Sequence, residues 1–165
     1  MTLDELQAEL AAALSRNGVQ AISSWPEGRR MGADGPVVLV SLEKLNCASA
    51  GLQDYLGQRL DEATGQWQDL YGRRAQLTFT LDILAAPRVG AQKCRTALEM
   101  LVRCLQTEKP AGLSVRELAS EELEYDEKEG LLKLRCRLKC EGWLCAADHE
   151  AGTFLDFTLR GDVNT

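Results

Sequence analysis

Four side chains able to bind a metal or attack an electrophile fall within fourteen residues: Cys136, Cys140, Cys145 and His149. Thiolates and imidazole are common zinc ligands, and a thiol beside a histidine is the start of a cysteine nucleophile. The spacing works against both. Structural zinc sites use cysteine pairs two to four residues apart on a tight knuckle, whereas Cys136 and Cys140 fall in a stretch that alternates strictly between apolar and basic residues. On such a strand four residues at about 3.3 Å each separate them by roughly 13 Å. His149 sits in Asp148-His149-Glu150 ahead of Gly152, a polar turn by composition. No orienting group or oxyanion-binding arrangement is readable around it. No metal, no cofactor and no catalytic residue is expected.

The remaining charge patterns are extended ones. Lys133, Arg135, Arg137 and Lys139 alternate with Leu132, Leu134, Cys136, Leu138 and Cys140, so a strand would carry four cations on one face about 6.6 Å apart. That spacing is close to phosphate spacing on a nucleic-acid strand, but no aromatic platform interleaves the row. A wet face paired with acids of a neighbouring strand, such as Glu117, Glu121 or Glu124, explains it better. A third reading is an electrostatic interface, with an acidic edge of one subunit against the basic face of the next. The acidic stretch from Glu117 to Glu129 lacks the Asp/Asn and Gly spacing of a calcium loop and reads as a solvated hairpin. Neither a Walker-type loop nor a dinucleotide glycine pattern is present.

The elements that must hold these residues are legible from periodicity. Leu3, Leu6, Leu10 and Leu14 predict an amphipathic helix over Thr2 to Ser15, with Thr2 as N-cap and Asn17-Gly18 as its stop. Val19 to Trp25 reads as an edge strand ending at Pro26, followed by a Gly-rich loop with Arg29 and Arg30. Pro36 to Leu45 is a central strand, apolar on both faces at its start. From Cys47 to Gly72 the pattern breaks, and short strands joined by an irregular excursion around Asp61 to Gln68 are expected. Arg73 to Ala85 alternates cleanly as a strand with one wet face. Cys94, Ala97, Leu98, Leu101, Val102 and Leu105 predict a second helix over Gly90 to Thr107. Strands follow at Leu113 to Tyr125, Leu131 to Cys140 and around Leu155 to Leu159. The expected fold is α+β: a single domain spanning residues 1–165, with a mostly antiparallel sheet and two helices packed on one face.

Composition agrees with a folded domain. The 165 residues are 45% apolar and 27% charged, and 19 Lys plus Arg against 25 Asp plus Glu give a net charge of -6. That sign disfavours a general nucleic-acid or anionic-membrane binder. Asp4, Glu5 and Glu9 interrupt the first apolar stretch, so no secretory signal is expected there. No apolar run approaches the about 20 residues of a membrane span. All six cysteines read as reduced, small, buried apolar residues.

The segment Gly51-Leu-Gln-Asp-Tyr55-Leu-Gly57, then Asp61-Glu-Ala-Thr-Gly65, Leu70-Tyr71-Gly72 and Leu77-Thr-Phe-Thr-Leu-Asp-Ile83, resembles tail-terminator proteins of bacteriophages and prophages, minor tail protein U-like. The closing Phe154-Leu-Asp-Phe-Thr-Leu-Arg-Gly161 is similar to the final strand of that family, and the order of elements agrees over nearly the whole chain. The resemblance implies a small structural subunit, not an enzyme. It would form a ring, commonly a hexamer, on the end of the tail tube, stop polymerisation and face neck or head-completion proteins. Its partners would be copies of itself, the tube protein and the neck, first in the host bacterial cytoplasm and then in the virion tail. A ring needs two complementary surfaces. The candidates are Asp61, Glu62, Trp67 and Tyr71 of the excursion, acidic Glu121 and Glu124, and basic Lys133, Arg135, Arg137 and Lys139. The alternatives are a head–tail joining or minor tail protein of similar fold, and a small cytosolic enzyme or ligand-binding domain.

Overall fold

The computed structural model describes residues 2–25, 34–49, 54–107, 109–147 and 157–160, without the side chains of 146–147 and 157–160. Helix α1 runs Leu3–Arg16 under a reciprocal cap: the Glu5 N–H donates to Thr2 Oγ1 at 3.2 Å and the Thr2 N–H to Glu5 Oε2 at 2.7 Å. Such a capping box satisfies two otherwise unpaired donors of the first turn. Helix α2 spans Ala91–Thr107 after a 3-10 turn at Pro87–Val89. The strands are β1 (Ala21–Ile22), β2 (Val37–Ser49), β3 (Tyr55–Leu60), β4 (Trp67–Ala85), β5 (Ser114–Asp126), β6 (Leu131–Ala147) and β7 (Phe157–Arg160).

They form one sheet in the order β1-β2-β4-β6-β5, with β3 added to β4 and β7 to β6. Every pairing is antiparallel except β1 with β2. The α+β architecture with both helices on one face is therefore as expected. One face of the sheet, from Ala75, Leu77, Phe79, Leu81 and Ile83 of β4 to Leu134, Cys136, Leu138 and Cys140 of β6, packs in a single core with Leu6, Leu10 and Leu14 of α1 and Cys94, Ala97, Leu101 and Leu105 of α2.

Four strands differ by three residues or more from the sequence reading. The first strand shrinks to Ala21–Ile22 because only those residues pair with β2. Strands β2, β4 and β6 all run longer: to Ser49, back to Trp67 and on to Ala147. The added lengths of β4 and β6 pair with one another and with β3 and β7, and that of β2 pairs with Arg73 to Gln76 of β4. Backbone hydrogen bonding thus carries the sheet past the end of the helices, where no apolar alternation announces it. The expected excursion is in consequence the tip of an ordered β3–β4 hairpin. Pro26, Arg29, Arg30, the Gly51–Gln53 part of the first quoted motif, His149 with its neighbours, and Phe154–Asp156 and Gly161 of the closing motif lie outside the described residues.

Candidate functional site

The extended half of the sheet is built around Gly72. A Cβ there would lie 2.5 Å from Leu56 Cδ1 and 2.9 Å from the Leu144 carbonyl oxygen, so glycine is what allows β3 and β6 to close on β4. The register of β3 slips between Tyr55 and Gly57, which marks Leu56 as the bulged residue, and its side chain occupies the space Gly72 leaves. The Gly72 N–H also donates to the Asp54 carbonyl at 2.7 Å. Arg73 reaches Asp54 through Nε at 3.1 Å and Nη2 at 3.0 Å. The Asp54 carboxyl is held below the usual carboxylate range by the Ser49 hydroxyl first and by Arg73 second.

Because β4 pairs with β6 without a register break from Leu70 to Ala85, its odd-numbered residues share one side throughout. The helix-facing side of the core therefore continues along the hairpin as Arg73, Tyr71, Asp69 and Trp67, with Tyr55, Gln58 and Leu60 opposite the last three. No helix covers it. Trp67 is 66% exposed, and its cross-strand partner Leu60 and nearby Tyr55 are exposed as well. Tyr55 and Tyr71 meet edge to face at 5.6 Å between ring centres, and Asp69 accepts from Tyr55 Oη at 3.4 Å and Gln58 Nε2 at 3.0 Å. At the tip Asp61 organises the turn, its carboxylate accepting from the Ala63 N–H at 3.0 Å, Thr64 Oγ1 at 2.8 Å and Gln68 Nε2 at 3.2 Å. Asp61 is a turn-builder, whereas Glu62 and Trp67 are presented outward.

The basic row is elsewhere, on the opposite face of the helix-covered half. Lys139 pairs with Thr78 in register, eleven residues along β4 from Trp67, or roughly 36 Å at strand spacing. The structure thus separates the candidate residues into two sets. Each cation of the row has an acid. Arg135 grips Asp82 with two bonds of 2.8 and 3.0 Å, which raises the guanidinium pKa further. Lys133 Nζ is 3.8 Å from the same carboxylate, Arg137 meets Glu121 at 2.9 Å and Glu43 at 3.4 Å, and Lys139 meets Glu117 at 2.9 Å. Glu124 stands opposite Lys133 in register. The acids come from β2, β4 and β5 together. Glu43 is supplied by a bulge between Leu42 and Lys44, and Asp82 is the one buried acid among the described residues. The alternation of residues 77–83 marked Asp82 as wet-facing but gave no sign of its partner.

The cysteines split as well. Cys94, Cys104, Cys136, Cys140 and Cys145 are buried, but Cys47 is exposed, against expectation. It lies in the exposed run of β2 from Glu43 to Ser49. Burial pushes the Cys136 thiol up to about 11, chiefly by lost hydration, and Cys140 up to about 12 for the same reason. Both are therefore thiols, whereas a metal ligand or nucleophile works as thiolate. Among the described residues no group of three or more His, Cys, Asp and Glu is placed to hold a metal ion, and no helix is long and apolar enough to cross a membrane.

No family model and no curated protein matches the sequence. Among solved structures, the chain is similar to the sheath/tube terminator of an extracellular contractile injection system (PVC) in its extended state, at 12% identity and a TM-score of 0.48. The match covers all of this chain and 64% of that one, so the chain spans less than two thirds of the neighbour's length.

Proposed function

We propose that this chain is a structural tail-completion protein: a ring subunit that caps the end of a tail tube, ends its polymerisation and offers its other side to neck or head-completion proteins. The observation that carries the reading is the uncovered face of the β3–β4 hairpin, where Trp67, Leu60 and Tyr55 stand exposed on an ordered ribbon. Exposed aromatics on a rigid frame are the usual anchors of protein interfaces. The same stretch, 51–72, holds half of the residues that resemble the tail-terminator family. Each cation of the basic row is engaged with an acid of the same chain, which supports reading that row as a solvated, internally paired face. On this reading the protein acts in the host bacterial cytoplasm during assembly and then in the virion tail, and the ring is a hexamer.

The test mixes purified protein with tube protein from the same genome and follows it by light scattering and negative-stain microscopy. Rings on tube ends and shortened tubes are expected for the natural chain, with Trp67→Ala losing both while its circular dichroism is unchanged. Tubes that grow equally long with and without the folded natural protein, and carry nothing at their ends, overturn the proposal.

A further inference from the structure

The wet face is mainly polar or charged along β4, but at the Leu84 end of that strand three leucines stand on it. Leu39 and Leu84 face the same way as Asp82 and Lys133, their register partners, and Leu131 adjoins them at the start of β6. All three are half-buried with no helix above. With Trp25, Asp126, Glu129, Asp82 and Lys133 they line a cleft of about 340 Å³. Trp25 is 39% exposed.

The charges in the cleft are sorted. At one end Asp82 is already held by Arg135 and Lys133. At the other end are the two carboxylates of the β5–β6 turn. One Asp126 oxygen accepts the N–H groups of Lys128 at 3.0 Å and Glu129 at 3.2 Å, and the Gly130 N–H donates to the Asp126 carbonyl at 2.7 Å, so the turn is fixed. Among the described residues neither Asp126 nor Glu129 is in an ion pair, in contrast to the paired acids Glu43, Asp82, Glu117, Glu121 and Glu141. An apolar floor, an aromatic wall and two unpaired carboxylates at one end complement an aliphatic stem that ends in a cation. The stem would lie on the leucines, and the cation would meet the carboxylates and the indole.

We infer that this cleft is a docking site for an arginine or lysine side chain presented by a partner protein. The inference does not depend on the tail-completion reading, because the cleft and the hairpin are on opposite faces and at opposite ends of the sheet.

The experiment titrates the full chain with three blocked tripeptides, Ala-Arg-Ala, Ala-norleucine-Ala and Ala-Glu-Ala, and with free L-arginine. The readout is the indole N–H resonance of Trp25, assigned with Trp25→Phe. The arginine peptide should shift it saturably, with the norleucine and glutamate peptides ~10-fold weaker or more, a difference of about 1.4 kcal/mol, and should lose affinity as salt rises. Asp126→Asn with Glu129→Gln should weaken the arginine peptide several-fold. Asn keeps an oxygen to accept the two turn N–H groups, and if the double variant misfolds, Glu129→Gln alone, at an exposed position, carries the comparison. Absence of a saturable shift, equal binding of the norleucine peptide, or undiminished binding by the folded variant overturns the inference. Free arginine binding as tightly as the peptide also overturns it, since the site would then serve a small molecule.

Discussion

From Ala75 to Ala85 strand β4 buries every second side chain beneath two helices; from Trp67 to Arg73 the same strand, in the same alternation, leaves the corresponding positions open or half-covered. The backbone does not distinguish the two halves, since both are paired on either side for most of their length. What differs is the roof. The covered half keeps its stability in apolar packing, which is proportional to area removed from water. The open half is held by ladder hydrogen bonds, by the fit of Leu56 over Gly72, and by polar links such as Asp54–Arg73. One sheet therefore supplies a rigid base and, on the same strand, a partly aromatic face that no helix covers among the described residues.

The comparison breaks most visibly in the covered half. Phe79 is wholly buried at its centre, and Phe79→Ala should cost about 3–5 kcal/mol in urea unfolding, from lost transfer energy and the cavity left behind. A cost under about 1 kcal/mol would mean that β4 is not the core strand described.

Next in size is Gly72→Ala. The added carbon meets a side chain on one side and the Leu144 carbonyl on the other, and overpacking of this kind costs about 1–3 kcal/mol. The damage should stay in the open half. Cys145, opposite Gly72 in register, should become reactive to a thiol reagent while Cys136 and Cys140 stay protected. Combining the change with Leu56→Ala should recover part of the loss, because the backbone clash remains. Equal labelling of Cys136 and Cys145 would show that the halves are one cooperative unit.

The same contrast explains what the sequence revealed. Both helices and the strands over 77–83 and 132–140 were legible because burial imposes a period on their side chains: Leu3, Leu6, Leu10 and Leu14 in one case, Leu77, Phe79, Leu81 and Ile83 in the other. The continuations of β2, β4 and β6 have no helix over them among the described residues, so no long apolar alternation marks them, and Asp69, Arg73 and Cys47 look like loop. Hairpin residues Trp67 and Tyr71 stood out by type alone. Exposed Leu60 became meaningful only with the register that sets it beside Trp67. The pairing of the basic row was half readable, because Glu117 and Glu121 lie on the next strand in sequence, while Glu43 and Asp82 reach it only through the fold.

A smaller effect on stability separates anchor from packing. Trp67→Ala should change the unfolding free energy by no more than about 0.5 kcal/mol, as at other surface positions away from packed features. Its full effect should appear in association. A loss of stability as large as that of Gly72→Ala would place Trp67 with the packed residues and remove the distinction between the halves.

The smallest effect lies at the junction. Glu141 accepts from Arg74 at 2.7 Å through one oxygen and from Arg116 at 2.8 Å through the other, tying β4 and β5 to β6 next to the last covered residues. Its carboxyl is pulled below the usual carboxylate range by Arg74 first and Arg116 next, against the opposing effect of burial. A group whose folded pKa is depressed stabilises the protein fully above its unfolded value, and that contribution is lost as pH falls through the folded one. Both arginines are half-exposed, so solvent screening keeps the contribution under about 1 kcal/mol. Urea midpoints of the natural chain and Glu141→Gln should therefore differ at neutral pH and converge in acid, below the ordinary range of a glutamate. A gap that stays constant with pH would mean that the glutamine loses hydrogen-bond geometry alone, and that charge at the junction does not couple the open ribbon to the covered base.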